Sequence, residues 1–271
     1  VTYLKGKGSF TLLAARTLII NSVLAGVLAG TVSCGKAGTN VADCEAGNKS
    51  VPCSERTRDE EIRRALDDGD LASAVTHLEE AIAEEPENYN RYSLLGAAYA
   101  AVAGFDIFNV VQAQFGGSSS IFDVMKNFLP DPVALTATEY DTSLGNMKKS
   151  IDILTAIPAE KRSQTSGERY ATSASLQLTL YQSAYSIMYI NKFAYTAESG
   201  SNLDIAKLES MSDADAEAIL ANLAAAAAVQ QGEQGQGVST AVGEAQAAID
   251  ATEGATTKEK LVNYMKAKNG S

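Results

Sequence analysis

Apolar positions along the chain fall into three regimes. From Thr17 to Ser33 no residue is charged, and Leu18, Ile19, Ile20, Val23, Leu24, Val27 and Leu28 form one apolar run with small residues toward its end. Residues 35–56 then carry Gly, Ser, Asn, Thr and Pro without hydrophobic periodicity, which reads as a tether. Beyond it helix signals recur. Thr57-x-x-Glu60, Thr165-x-x-Glu168, Ser212-x-x-Asp215 and Thr256-x-x-Glu259 have the form of a capping box, in which a hydroxyl and an acid three residues on satisfy orphan N–H groups at a helix start. No stretch sustains a period-two pattern of β-branched residues, so an all-α fold is expected.

The predicted helices are a first one from about Arg58 to Asp67, a tightly patterned pair within residues 59–102, and five more over 133–156, 168–195, 203–230, 238–250 and 257–267. Pro158, Ser199-Gly200-Ser201, the Gln/Gly run from Gln230 to Gly237 and Gly254 separate the later ones. From Leu176 to Tyr195 the pattern is apolar almost all round, which predicts burial between other helices. Ala224 to Ala228 favours helix but offers little surface for packing.

Spacing in the pair is specific. Ala74, Leu78, Ala81 and Pro86, followed by Tyr92, Leu95, Gly96 and Tyr99, resemble the tetratricopeptide repeat (TPR), with the second half of one repeat running into the first half of the next. Tyr92 stands where that motif has Trp. Small Ala74 and Gly96 suit close helix approach, Leu78 and Tyr99 fill the interface, and Pro86 stands where the chain leaves one helix for another. The match fades on both sides: Arg58, Glu61, Ile62 and Ala65 replace the motif residues upstream, as suits a capping helix with a polar outer face. Downstream, Gly104-Phe105-Asp106 resembles the inter-helix turn, but Asn109 and Val110 stand where Ala is expected, and Gly116 to Ser120 form a loop out of step. Residues 57–130 thus read as TPR-like repeats ending in a Phe-rich segment, and 131–271 as further helical hairpins. These either extend an α-solenoid or form a compact bundle around the 168–195 helix.

The start of the chain reads as an export signal. Lys5, Lys7 and Arg16 precede the apolar run with no acid among the first 33 residues, the layout of a secretory signal peptide over 1–33. Leu28-Ala29-Gly30-Thr31-Val32-Ser33-Cys34-Gly35 resembles a bacterial lipobox, with Thr31 in place of the usual Leu. The resemblance implies that Cys34 is acylated and anchors the mature chain to a lipid bilayer, on the outer membrane facing the periplasm. Ordinary signal cleavage and an uncleaved N-terminal anchor are the alternatives. With Cys34 acylated, Cys44 and Cys53 remain in a compartment where disulfides persist, and they are expected to pair across the tether. Such a short loop would stabilise by about 2–3 kcal/mol. Neither cysteine has neighbouring His or Cys residues to complete a zinc site.

Composition narrows the chemistry. The 271 residues carry 22 Lys+Arg and 33 Asp+Glu, a net charge of -11, and the three bases of the signal leave the mature chain more acidic still. Duplex nucleic acid, which is bound through cationic contacts to phosphate, is an unlikely partner on this balance. His77 is the single histidine, flanked by no nucleophile and orienting acid, so a surface role is expected. No catalytic residue, metal set or cofactor is expected; only paired buried carboxylates in a cleft would revive an enzymatic reading. The acidic runs Asp59-Glu60-Glu61, Glu79-Glu80, Glu84-Glu85 and Asp213 to Glu217 read as solvated helix faces.

Two apolar features are candidate binding surfaces. Phe105, Phe108, Phe115, Phe122 and Phe128 fall in one stretch, where they plug the end of the repeats or line a groove. Tyr181, Tyr185 and Tyr189 lie four apart on one helix face, as a packing seam or a groove wall. On the inner face of the repeat, Asn90, Ser93, Ala97 and Ala100 are small and mostly neutral. TPR lipoproteins commonly serve as scaffolds for envelope machinery, and the resemblance implies a non-enzymatic, membrane-anchored scaffold with a protein partner. The alternative is a TPR lipoprotein that holds a small apolar ligand between the Phe-rich segment and the three tyrosines, like the components associated with tripartite transporters.

Overall fold

The computed structural model describes residues 53–105, 125, 128–162, 169–195, 204–229 and 236–268. Cys34, Cys44, Phe108, Phe115, Phe122 and the Thr165/Glu168 pair lie outside them. All described residues after Cys53 belong to one compact unit, and among the described residues there are ten helices and no strand. The helices are α1 (Cys53–Asp67), α2 (Leu71–Glu84), α3 (Tyr89–Val102), α4 (Ala137–Ala156), α5 (Ala159–Arg162), α6 (Arg169–Ala194), α7 (Ile205–Glu209), α8 (Asp213–Ala228), α9 (Gln236–Asp250) and α10 (Thr257–Lys268).

Helix ends follow local chemistry. Gly69, at φ 72°, closes α1: the Asp70 N–H reaches the Ala65 carbonyl at 2.8 Å and the Gly69 N–H reaches Leu66 at 3.2 Å. This is a Schellman closure, which favours glycine at the left-handed position. Asp70 then caps α2, its carboxylate accepting from the Ser73 N–H at 3.1 Å and the Ser73 hydroxyl at 2.7 Å. Gly104, at φ 82°, repeats the closure at the end of α3 and turns Phe105 into the core. The Ser212/Asp215 capping box forms in full, and a second one, Thr136/Glu139, opens α4.

Several boundaries differ from the expected ones. Helix α1 begins at Cys53, inside the expected tether, so Thr57 lies within the helix and does not cap it. The last helix-opposing residue before that point is Pro52, and proline is compatible with a helix start. Helix α4 begins at Ala137 rather than 133, because Asp131 organises a turn that accepts from the Val133 N–H at 2.9 Å and the Ala134 N–H at 3.2 Å. The expected helix over 203–230 is two: Ser210 ends α7 and the extended backbone of Ser212 (ψ 158°) starts α8.

Helix α6 is the centre of the unit. Helices α3, α4, α5, α7, α8 and α9 all pack on it. Six of the described helices therefore surround α6. Ala174, Leu178, Tyr181, Ala184, Ile187 and Met188 are buried against the core residues Leu144, Met147, Leu154 and Ile219. The buried hydroxyls of Thr179, Ser183 and Ser186 each donate to a carbonyl one turn back, at 3.3, 2.7 and 2.9 Å, so α6 stays polar in composition without stranding those donors. Among the described residues no helix is long and apolar enough to cross a membrane.

Candidate functional site

The motif residues form a packing unit between α2 and α3. Ala74, Leu78 and Ala81 are spaced i, i+4, i+7 along α2 and are fully buried, with Leu78 and Ala81 meeting Ile62, Leu95 and Tyr99. The Tyr92 hydroxyl donates to the Pro86 carbonyl at 3.1 Å, tying helix α3 to its own entry turn. Tyr99 donates to Glu79 of α2, and burial together with that carboxylate pushes its phenol up to about 12. Gly96 faces α4: a Cβ there would lie 2.9 Å from Leu154 Cγ, and the Ser150 hydroxyl donates to the Gly96 carbonyl at 2.8 Å. The missing side chain is the condition for that helix crossing.

Charged groups brace the same unit. Arg91 is 6% exposed; its guanidinium donates to the Ala81 carbonyl at 2.9 Å and pairs with Glu85 at 2.9 Å and Asp59 at 3.2 Å, linking α1, the end of α2 and α3. Arg58 pairs with Glu80 and Glu84 across α1 and α2. His77 lies on that seam with Nδ1 3.8 Å from Glu61. The sequence marked Arg58 only as a degenerate motif position and said nothing of Arg91, because an arginine's burial depends on partners from distant elements.

The small, mostly neutral inner face of α3 is largely covered. Ser93 donates to Gln177 of α6 at 3.0 Å, both side chains buried, and Ala100 is 1% exposed; only Asn90 is exposed and Ala97 is half-buried. The reason is α6 itself, whose nearly continuous burial requires neighbours on every side, α3 among them.

The candidate aromatic surface divides. Phe105 and Tyr181 are buried and meet edge to edge-face, with ring centroids 5.5 Å apart at 86°. Both rings belong to the core and present no outer surface. Phe128, with Met125 and Leu129, lies in the same core. Tyr185 and Tyr189, by contrast, are half-buried and stack with centroids 5.7 Å apart at 19°. Phe193 continues them at 5.8 Å and 77°, one more four-residue step that the sequence pattern already contained.

This ladder runs along α6 between α4 and α8, which both pack on α6 and barely touch one another. From α4, Lys148 pairs with Asp152 at 2.8 Å and Asp141 pairs with Lys192 of α6 at 2.7 Å. From α8, Asp215 accepts from the Tyr189 hydroxyl at 2.8 Å. Its bonds from Ser212 and then Tyr189 hold the Asp215 carboxyl below its usual range. Burial, then the bond to Asp215, pushes the Tyr189 phenol up to about 12, and burial also raises Tyr185. The face is therefore an aromatic floor with neutral phenols beside an ionised Asp215 carboxylate at physiological pH. Asp215 was legible as a cap and as part of an acidic run, but not as the partner of Tyr189.

Among the described residues no group of three or more His, Cys, Asp or Glu side chains is placed to hold a metal ion. Compared with known proteins, the chain matches no family model, and neither a curated protein nor a solved structure is found to match it.

Proposed function

We propose that the chain is an exported lipoprotein, anchored through Cys34 in the bacterial cell envelope, whose TPR-like helical unit acts as a non-enzymatic scaffold for a protein partner. The observation that carries the scaffold reading is the use of the motif side chains. Ala74, Leu78, Ala81, Leu95 and Gly96 all serve helix-on-helix packing, as repeat residues would, and Gly96 extends that packing to Leu154 of the next described helix. The anchor rests on the basic, then apolar, then Ser33-Cys34 order of the first residues. The rival, a ligand held between the Phe-rich segment and the tyrosines, draws no support from Phe105 and Tyr181, which pack on one another in the core; Phe108, Phe115 and Phe122 lie outside the described residues.

Fatty-acid labelling of the wild type and of Cys34→Ala tests the anchor: label and membrane fractionation are expected in the first and absent in the second. No label in the wild type ends the lipoprotein reading. Cross-linking pull-down from intact envelopes is expected to recover a reproducible protein partner. Failure to do so, with a small molecule retained in native mass spectrometry, replaces the scaffold by the ligand carrier.

A further inference from the structure

The Tyr185–Tyr189–Phe193 face has an unbalanced charge. Lys148 and Lys192 are each matched by a carboxylate, Asp152 and Asp141. Asp215 makes no ion pair within 4 Å among the described residues; Lys192, already paired with Asp141, acts on it only through space, and its carboxyl is held low first by its hydrogen bonds from Ser212 and Tyr189. A carboxylate has about four lone-pair sites. The Ser212 N–H, the Ser212 hydroxyl and the Tyr189 hydroxyl use three, at 3.2, 2.6 and 2.8 Å. Room for one more donor remains beside two stacked rings.

We propose that this face is a docking site for an arginine-bearing basic segment of a partner protein, which rests on the scaffold reading above and specifies its partner's chemistry. A guanidinium is planar and weakly hydrated, stacks on tyrosine and donates to a carboxylate at once; a lysine ammonium is compact and strongly hydrated, and does the first of these poorly. An acidic segment is repelled by a chain of net charge -11. Helices α4 and α8 both pack on α6, and Tyr189 bonds Asp215 of α8 while stacking on Tyr185, so a segment laid along α6 here would meet Tyr185, Tyr189 and Asp215 together.

The test is calorimetric titration of the full chain with hexa-arginine, hexa-lysine and hexa-glutamate peptides at physiological salt. Hexa-arginine is expected to bind about tenfold more tightly than hexa-lysine, and hexa-glutamate not at all. Tyr185→Ala and Asp215→Asn should each weaken hexa-arginine about five- to tenfold, Tyr185→Phe should leave it within about twofold, and Glu217→Gln, an exposed carboxylate on α8, should do the same. Thermal melting of each variant separates lost binding from lost folding. Equal affinity for the two basic peptides, or binding indifferent to Tyr185→Ala and Asp215→Asn in folded variants, overturns the assignment. If the peptide test fails while the envelope pull-down recovers a partner, the scaffold stands and only this face is wrong; if no partner is recovered and a small molecule is retained, the scaffold falls and this docking site with it.

Discussion

Tyr189 of α6 donates to Asp215 of α8 at 2.8 Å; burial and then this bond raise the phenol, and the Ser212 bond and then this one lower the carboxyl. Each shift has a definite sign in stability. A carboxyl lowered on folding contributes stability above its unfolded value near 3.8 and loses it as pH falls through the folded value. A phenol raised on folding contributes fully below its unfolded value of 10.0 and loses the contribution as pH rises toward about 12. Tyr189→Phe should therefore cost up to about 1 kcal/mol near neutrality. Urea titrations across pH should show that cost shrink as pH falls below 3.8 through the lowered range of the Asp215 carboxyl, and shrink again as pH rises from 10.0 toward about 12, where the phenol ionises. A pH-independent difference would mean that packing, not this bond, is lost.

Two glycines in helix interiors should respond oppositely to alanine. At Gly96 the added methyl meets Leu154 Cγ at 2.9 Å, so overpacking of about 1–3 kcal/mol outweighs the helix-propensity gain of about 1 kcal/mol. At Gly145 in α4 nothing lies within 4 Å, so the propensity gain stands alone and stabilises by about 0.5–1 kcal/mol. Chemical denaturation of Gly96→Ala and Gly145→Ala decides it; a stabilised Gly96→Ala would mean that the α3–α4 crossing is looser than described.

Truncating the tyrosines of α6 should separate core from surface. Tyr181, 1% exposed and against Phe105, should cost about 3–5 kcal/mol as Tyr181→Ala, whereas Tyr185→Ala, half-buried on the outer face, should cost about 1 kcal/mol. Thermal melting would show a large drop for the first and a small one for the second. Similar losses would place both rings in one seam.

Arg91→Met should be destabilising by about 2 kcal/mol, because Asp59 and Glu85 lose their cation and the Ala81 carbonyl its donor. Hydrogen exchange is expected to rise first in α1, which is tied to α3 by the Asp59–Arg91 pair beside the Ile62 packing. Exchange spread evenly over the unit would contradict that local bracing role.

Much of the helical order was legible because caps and spacing are local. Ser212/Asp215, Gly69 and the Ala74–Leu78–Ala81 spacing each act within a few residues of themselves. Burial was less legible where it depends on what arrives from elsewhere. Ser93 looked like the small, neutral lining of an inner face, and only Gln177, 84 residues on, makes it interior. Tyr181 and Tyr185 share one four-residue pattern yet differ in environment, because Phe105 occupies the side of α6 that Tyr181 faces. The pattern marked the aromatic face of α6, not which of its rings would be covered.

The bond from Ser93 to Gln177 also has a consequence in time. A chain made from its N-terminus completes α3 while α6 does not yet exist, and Gln177 is added 84 residues after Ser93. At about 5–20 residues per second that interval lasts roughly 4–17 s. Helices α2 and α3 can pair at once, but Ser93, Gly96 and Ala100 wait uncovered for their neighbours. During biogenesis this buried seam is the surface most in need of shelter, and the finished molecule no longer displays it.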